Sequence, residues 1–368
     1  MEEKIVTLVV LSFEKAHILK TMLEVEGISS FLENANLIQG AVSQGVKVKI
    51  EESSLEKAME VLESMMHEEF AMPDSPPVPP RILLPVDFSS YSNKAADIAF
   101  DWANVLRAEL MVMHTYFNPI ISTMPFSDTF AYEMNMEELV VELEDKAKDG
   151  MEKMLAYLNE KNDKLGSNKL VIKSELIKGI AEDEIVKYSK QYQPSVVIMG
   201  TRGKDQKVAD LIGSVTAEVM ERSKSPVFAV PEDFNYQGID SLKHLSYATD
   251  FMDGDFKAIE ILEKIVKPLG VTIICAHVSS KNSSQWDAVR LQGLKEHFKK
   301  YYDEKNVDSY LIEHEDFYLG LESYVHEQGV DVLSFTRRKR GLISKLVNPN
   351  IAKKMLFHST TPLLVFND

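Results

Sequence analysis

Two short stretches of this chain carry residue types suited to holding a phosphate group. They are Gly200-Thr-Arg-Gly203 and, after nine intervening residues, Gly213-Ser-Val-Thr216. Glycines at the end of a strand let backbone N–H groups approach an anion without a Cβ in the way. The apolar run Val196-Val-Ile-Met199 supplies the strand, and a helix-like segment runs on through Met220. Gly213 and Ser214 stand where that helix begins. They bring unpaired N–H donors, the positive end of the helix dipole and, with Thr216, two hydroxyls. Arg202 adds charge, and Lys204 and Lys207 follow close behind. The pattern is neither Gly-x-x-x-x-Gly-Lys-Ser/Thr nor the tight Gly-x-Gly-x-x-Gly turn.

The surrounding pattern places these residues in one crevice. Apolar strands are expected near Ile82–Val86, Leu110–Thr115, Leu170–Leu176, Val196–Met199 and Val227–Val230. Helices are expected at Asn93–Leu106, Met134–Lys161, Ala181–Gln191 and Ser214–Arg222. Strand–helix alternation of this kind implies a parallel sheet covered on both faces. Ligands in such sheets sit at the carboxyl ends of strands, where strand order reverses. Asp87, Thr115 and Gly200 all fall at such ends. A carboxylate at position 87 can accept from ribose hydroxyls or an adenine amino group, and it equally suits a helix cap before Phe-Ser-Ser-Tyr-Ser. His114 reads as a packed or capped histidine, and Met111, Met113, Met151 and Met154 as core or helix-face packing.

The Gly-x2-Gly-x9-Gly-Ser spacing resembles the nucleotide-binding signature of the universal stress protein family, in its ATP-binding branch. Two further blocks are similar to that family's opening and closing strands: Arg81-Ile-Leu-Leu-Pro-Val-Asp-Phe-Ser89 and Ser225-Pro-Val-Phe-Ala-Val-Pro231. The resemblance implies that Pro85, Val86 and Asp87 hold the adenosine end and that Thr115 borders the base or ribose. It implies that Met199, Gly200, Arg202, Gly203, Gly213, Ser214, Val215 and Thr216 wrap the phosphates of ATP, with or without Mg²⁺. No catalytic residue and no protein metal ligands are implied.

Residues 241–368 repeat the pattern of 81–233. Asp87 precedes His114 by 27 residues, and Asp250 precedes His277 by 27. Met199-Gly-Thr-Arg202 corresponds to Ser334-Phe-Thr-Arg337, and Ser225-Pro226 to Thr361-Pro362. The interval from His114 to Thr201 exceeds that from His277 to Thr336 by 28 residues, which include Phe117–Thr129. In the second copy Gly200 becomes Phe335, Gly203 becomes Arg338, Gly213 becomes Asn348 and Ser214 becomes Pro349. Bulk and a missing N–H donor speak against nucleotide binding there. Arg337-Arg-Lys-Arg340 reads as a solvated loop. Domains of the resembled family pair through their last strands, so Val227–Val230 and Leu363–Phe366 are expected to pair within one chain, which can then stand alone or form a homodimer.

Five prolines within residues 71–80 mark a stiff linker. Residues 1–70 before it read as a small α+β domain, similar to signal-transducing domains at the front of some bacterial proteins. Its strands are expected at Lys4–Leu11, Ser30–Glu33 and Val46–Ile50, and its helices at Phe13–Glu26 and Ser53–Met66. Its loop Gly40–Gly45 reads as an ordinary connection. The fold expected for the whole chain is α/β: two tandem doubly wound parallel-sheet domains, similar to the adenine nucleotide alpha hydrolases, behind one small α+β domain. A net charge of −16 speaks against nucleic-acid and anionic-membrane partners. The single cysteine, Cys275, sits in an apolar run and reads as a buried strand residue. No run approaches a membrane span of about 18 residues, and the acidic start (Glu2, Glu3) is unlike a signal peptide, so a cytoplasmic location is expected.

Three functions stay open on the sequence: a regulatory ATP binder in a stress response or signal transduction, a slow ATPase or nucleotidyl-transferring enzyme, and a nucleotide-independent scaffold. No Gln or Glu is placed to activate water, which speaks against fast turnover.

Overall fold

The computed structural model describes residues 5–11, 13–34, 46–70, 79–116, 130–201, 213–251, 254–279, 284–301, 306–337 and 360–367. In chain order the elements begin with β1 (Ile5–Leu11), α1 (Phe13–Val25), β2 (Ser30–Asn34), β3 (Val46–Glu51) and α2 (Leu55–Phe70). Next come β4 (Arg81–Pro85), α3 (Ser90–Leu106), β5 (Glu109–Tyr116), α4 (Phe130–Asp163), β6 (Ile172–Lys178), α5 (Ala181–Tyr192), β7 (Val196–Gly200), α6 (Ser214–Arg222) and β8 (Val227–Val230). The last stretch holds β9 (His244–Ala248), α7 (Gly254–Ile265), β10 (Thr272–Ser279), α8 (Ser284–Tyr301), β11 (Val307–Glu313), α9 (Phe317–Glu327), β12 (Val332–Arg337) and β13 (Leu363–Asn367). The expected linker, the Gly40–Gly45 loop and Phe117–Thr129 fall outside the described residues, apart from Pro79 and Pro80.

The chain divides into two compact units. One gathers Met1–Val78 with His244–Val330. Here β3 is the centre of an antiparallel sheet of order β1-β3-β2, and Val46, Val48 and Ile50 alternate inward with lysines between them. The same unit holds three parallel strands in the order β11-β10-β9. Cys275 lies in the middle one, fully buried, and burial pushes its thiol pKa up.

The other unit contains Pro79–Lys243 together with β12 and β13. Its strand order is β12-β13-β8-β7-β4-β5-β6. Every neighbouring pair is parallel except β13–β8, which is antiparallel, with Leu363 opposite Ala229 and Val365 opposite Val227. The inner strands β4, β7 and β8 are near-continuous apolar runs, as sheets covered on both faces require. From β4 the chain moves outward through β5 and β6, then crosses back to β7 on the opposite flank. Strand order therefore reverses between β4 and β7.

Several element boundaries differ from the sequence expectation, and β6 and α4 show why. β6 begins at Ile172 rather than Leu170. The side chain of Asn162 clasps the Leu170 backbone instead: its Nδ2 donates to the Leu170 carbonyl (3.0 Å), and its Oδ1 accepts the Leu170 N–H (2.8 Å). α4 is longer than expected at both ends. Ala147, Met151, Met154 and Leu158 bury one face at helical spacing, and i,i+4 pairs such as Lys146–Glu142 line the exposed side.

Candidate functional site

A cavity opens where strand order reverses. Pro85, Val86 and Asp87 reach it from the end of β4, Met113 and Thr115 from β5, and Met199 and Gly200 from β7. Gly213, Val215 and Thr216 close one side at the start of α6, and Ala181 and Ile185 of α5 close another. Ser92 of α3 completes the lining. Nine of the twelve sequence-predicted residues thus line one cavity. Ser214 is the first residue of α6 but not part of the lining, and Arg202 and Gly203, like Lys204 and Lys207, lie outside the described residues. The cavity measures about 120 Å³, below the roughly 300–1,000 Å³ of whole small-molecule sites. The described walls therefore enclose less than a whole small-molecule site.

Four lining residues were not singled out from the sequence as ligand contacts: Ser92, Met113, Ala181 and Ile185. Apolar side chains that face a cavity carry the same periodicity as core, so Met113 and Ile185 read as packing. The i,i+4 spacing of Ala181 and Ile185 at a helix start was the one signal available.

The turn after β4 is braced by its own hydroxyls. Asp87 Oδ1 accepts from the Ser89 N–H (3.1 Å), Ser89 Oγ (2.5 Å) and Ser92 Oγ (2.5 Å), and the Asp87 N–H donates to Ser92 Oγ (2.9 Å). Ser89 in turn caps α3 by accepting from the Ser92 N–H. Asp87 is thus held as a turn residue while it lines the cavity. Phe88 takes a left-handed φ of 61° and lays its ring 4.3 Å from that of His114. His114 Nδ1 lies 2.7 Å from the Val86 carbonyl, which can only accept, so Nδ1 carries the proton. Burial holds the pKa of His114 below its usual value, against the opposing pull of that carbonyl and of Asp87. The histidine is packed and capped, as its place in the sequence suggested.

The two glycines do different work. A Cβ on Gly200 would stand 2.7 Å from Tyr91 Cβ and 3.1 Å from the Tyr91 backbone carbon. Gly200 is therefore needed to let α3 pack against β7, a constraint separate from close approach to an anion. Gly213 is the N-cap of α6 with extended backbone and no capping side chain, so no protein side chain there competes for the first-turn amides. The first turn is fixed from behind by Thr216 Oγ1, which donates to the Gly200 carbonyl (2.8 Å), and by the Gly213 N–H, which donates to the Thr201 carbonyl (2.5 Å).

Thr115 Oγ1 is buried without a hydrogen-bond partner among the described residues. A hydroxyl in that state costs free energy until something meets it. With the uncapped start of α6, it makes the cavity fit a ligand with a hydrogen-bonding apolar body and an anionic end. Among the described residues, no group of three or more His, Cys, Asp or Glu is placed to hold a metal ion, and no helix is long and apolar enough to cross a membrane.

Comparison with known proteins places this unit. Residues 80–231 match the universal stress protein family. Residues 13–66 match a second family, described as "Putative prokaryotic signal transducing protein". Universal stress protein MJ0531 of Methanocaldococcus jannaschii is 26% identical over 150 residues, covering 41% of this chain and 81% of that protein. Universal stress protein MJ0577 of the same organism is 26% identical over 157 residues, covering 41% of this chain and 93% of its own length. The crystal structure of a universal stress protein from Archaeoglobus fulgidus superposes with a TM-score of 0.54 and 22% identity, covering 78% of this chain and 98% of that one. At that identity the likeness is one of fold, and it extends well beyond residues 80–231.

Proposed function

We propose that this chain is a regulatory ATP-binding protein of the cytoplasm, whose cavity takes the adenosine end of ATP while the start of α6 takes its phosphates. The observation that carries the reading is one cavity lined both by Thr115, whose buried Oγ1 has no partner among the described residues, and by the start of α6, whose N-cap is a glycine. On this reading Met113, Met199, Ala181 and Ile185 cover the flat apolar faces of the base. Asp87 and Thr115 meet its polar groups or the ribose, and the α6 amides with the Ser214 hydroxyl donate to phosphate oxygens, while Thr216 Oγ1 stays on the Gly200 carbonyl and braces the turn. Arg202 and Gly203 belong to the same phosphate-binding stretch. The similarity of residues 80–231 to the universal stress protein family supports the same reading.

Residues 241–368 are, on the same reading, a second copy that has lost its nucleotide site and kept its frame. The equal Asp–His spacing and the length of chain over which the Archaeoglobus fold is matched both support this. One ATP should then bind per chain, with turnover slow or nil.

Purified chain, denatured and analysed by mass spectrometry for released nucleotide, tests occupancy directly. Calorimetric titration of nucleotide-free chain with ATP should give a single site. Two equivalent sites would overturn the reading of residues 241–368, and no binding at all would leave the scaffold reading. ADP or AMP appearing in a single-turnover assay would mark an enzyme instead.

A further inference from the structure

The helix that begins at the cavity ends against the last two strands of its unit. α6 has nine residues, and helices shorter than about 12–15 residues do not hold themselves together in water. Its order must come from what grips its two ends. At the first turn the grips are the Thr216 and Gly213 bonds to the β7 end, and the Ala217 N–H closes that turn on the Gly213 carbonyl (2.9 Å).

At the last turn the grips come from residues 331–367. Asn367, the last residue of β13, donates through Nδ2 to the carbonyls of Met220 (2.9 Å) and Ser223 (2.7 Å). Arg337, the last residue of β12, donates through Nη1 to the Glu221 carbonyl (3.0 Å) and through Nη2 to Glu221 Oε1 (2.6 Å). The two side chains stand opposite each other in the parallel β12–β13 register. They meet the carbonyls that a helix leaves without internal partners, and Arg337 brings positive charge to the negative end of the dipole. Arg337 is only 14% exposed, so it is not part of the solvated loop that its Arg-Arg-Lys-Arg context suggested.

We propose that Arg337 and Asn367 are positioning residues for the phosphate-binding turn: by holding the last turn of α6, they set the order and place of Gly213–Thr216 at its first turn. The proposal rests on the nucleotide reading above. It makes phosphate affinity at the β4–β7 crevice depend on strands that contribute no atom to that crevice. Anything that displaces the ends of β12 and β13 then changes nucleotide affinity, and bound phosphate stiffens those ends in return.

The test uses the full chain, titrated with ATP and with adenosine, which lacks phosphates. Arg337→Met and Asn367→Leu keep volume and remove the donors. Together they should weaken ATP binding about tenfold and leave adenosine binding unchanged, and Arg337→Lys should recover part of the loss. Unchanged ATP affinity in the folded double variant, or equal loss of ATP and adenosine, overturns the proposal. Should the wild-type chain bind no ATP, the nucleotide reading fails on its own. Positioning is then read from amide exchange in the ligand-free chain. Protection at Ala217 falling together with that at Ser223 supports it, and loss confined to Ser223 refutes it.

Discussion

The turn after β4 and the turn after β9 have the same skeleton and opposite contents. In each, a backbone N–H crosses to the neighbouring strand: Val86 to the Met113 carbonyl (2.8 Å) and Thr249 to the Ala276 carbonyl (2.9 Å). In each a phenylalanine takes a left-handed φ, 61° at Phe88 and 58° at Phe251, and lays its ring 4.3 Å from a histidine. Both histidines place Nδ1 against the carbonyl two residues before that phenylalanine, at 2.7 and 2.8 Å. Beyond this frame the two part. After β4 there is a cavity with an unpartnered threonine hydroxyl. After β9 two buried carboxylates take up neighbouring hydroxyls, and the buried polar atom without a partner among the described residues is Arg290 Nε instead. Asp255 is 1% exposed and accepts from Tyr247 Oη (2.9 Å) and Thr249 Oγ1 (2.6 Å). Asp287 accepts from Ser279 Oγ (2.6 Å) and lies 3.5 Å from His277 Nε2. The Arg290 guanidinium covers the Phe251 ring at 4.3 Å, and burial lowers its pKa against the pull of Asp287, Asp250 and Asp255. The difference teaches that the frame and the binding site are separable. The frame is backbone and ring packing. The site is a matter of which polar groups are left for a ligand to satisfy.

The hardest test of that separation is Gly213→Val combined with Ser214→Pro, which places a proline where the sequence repeat has Pro349. Proline is tolerated at the first helical position, so the chain should stay folded. Losing two or more charge-assisted hydrogen bonds, each worth about 1.5–3 kcal/mol, should abolish measurable ATP binding by calorimetry. Retained affinity would break the assignment of the phosphate end. The reciprocal change, Asp255→Ala, should cost about 2–4 kcal/mol in urea unfolding, because it removes the carboxylate to which two buried hydroxyls donate, and ATP affinity should hold. Thr115→Val sharpens the contrast, since counting 163 residues on reaches Val278. ATP affinity should fall about three- to tenfold while stability does not fall, as the substitution removes a buried hydroxyl that no described residue satisfies. The smallest effect concerns pH. The folded-state pKa of His114 is lowered from 6.5, so between that lowered value and 6.5 the unfolded chain binds more protons than the native one. Stability should therefore fall as pH drops through 6.5 and level off below the folded-state value. His114→Gln should show a shallower decline in unfolding experiments across that range.

Much of this frame could be read from residue order. The ends of α6 and β8 fall where the apolar periodicity placed them, at Ser214–Arg222 and Val227–Val230. The helix start at Gly213 was visible because glycine followed by hydroxyl residues marks a strand–helix junction. What escaped were facts about neighbours distant in sequence. Gly200 gave no hint of Tyr91, because a packing constraint leaves the same letter as a ligand constraint. Arg337 looked solvated because its sequence neighbours are basic, while its partner, Glu221, lies 116 residues away. Met113 and Ile185 looked like core because a cavity wall and a core face are equally apolar.

The antiparallel meeting of β8 and β13 has a consequence for how such a chain can change over time. When two identical subunits meet about a two-fold axis, each interface residue appears twice, and any substitution must suit both places at once. Here the two strands belong to one polypeptide and differ in sequence, Val-Phe-Ala-Val against Leu-Leu-Val-Phe-Asn. Each is free to vary without its twin. Their encounter is also intramolecular, so it does not weaken on dilution as a dimer does. A chain carrying both strands can therefore change the residues beyond one of them while the joint between them stays intact.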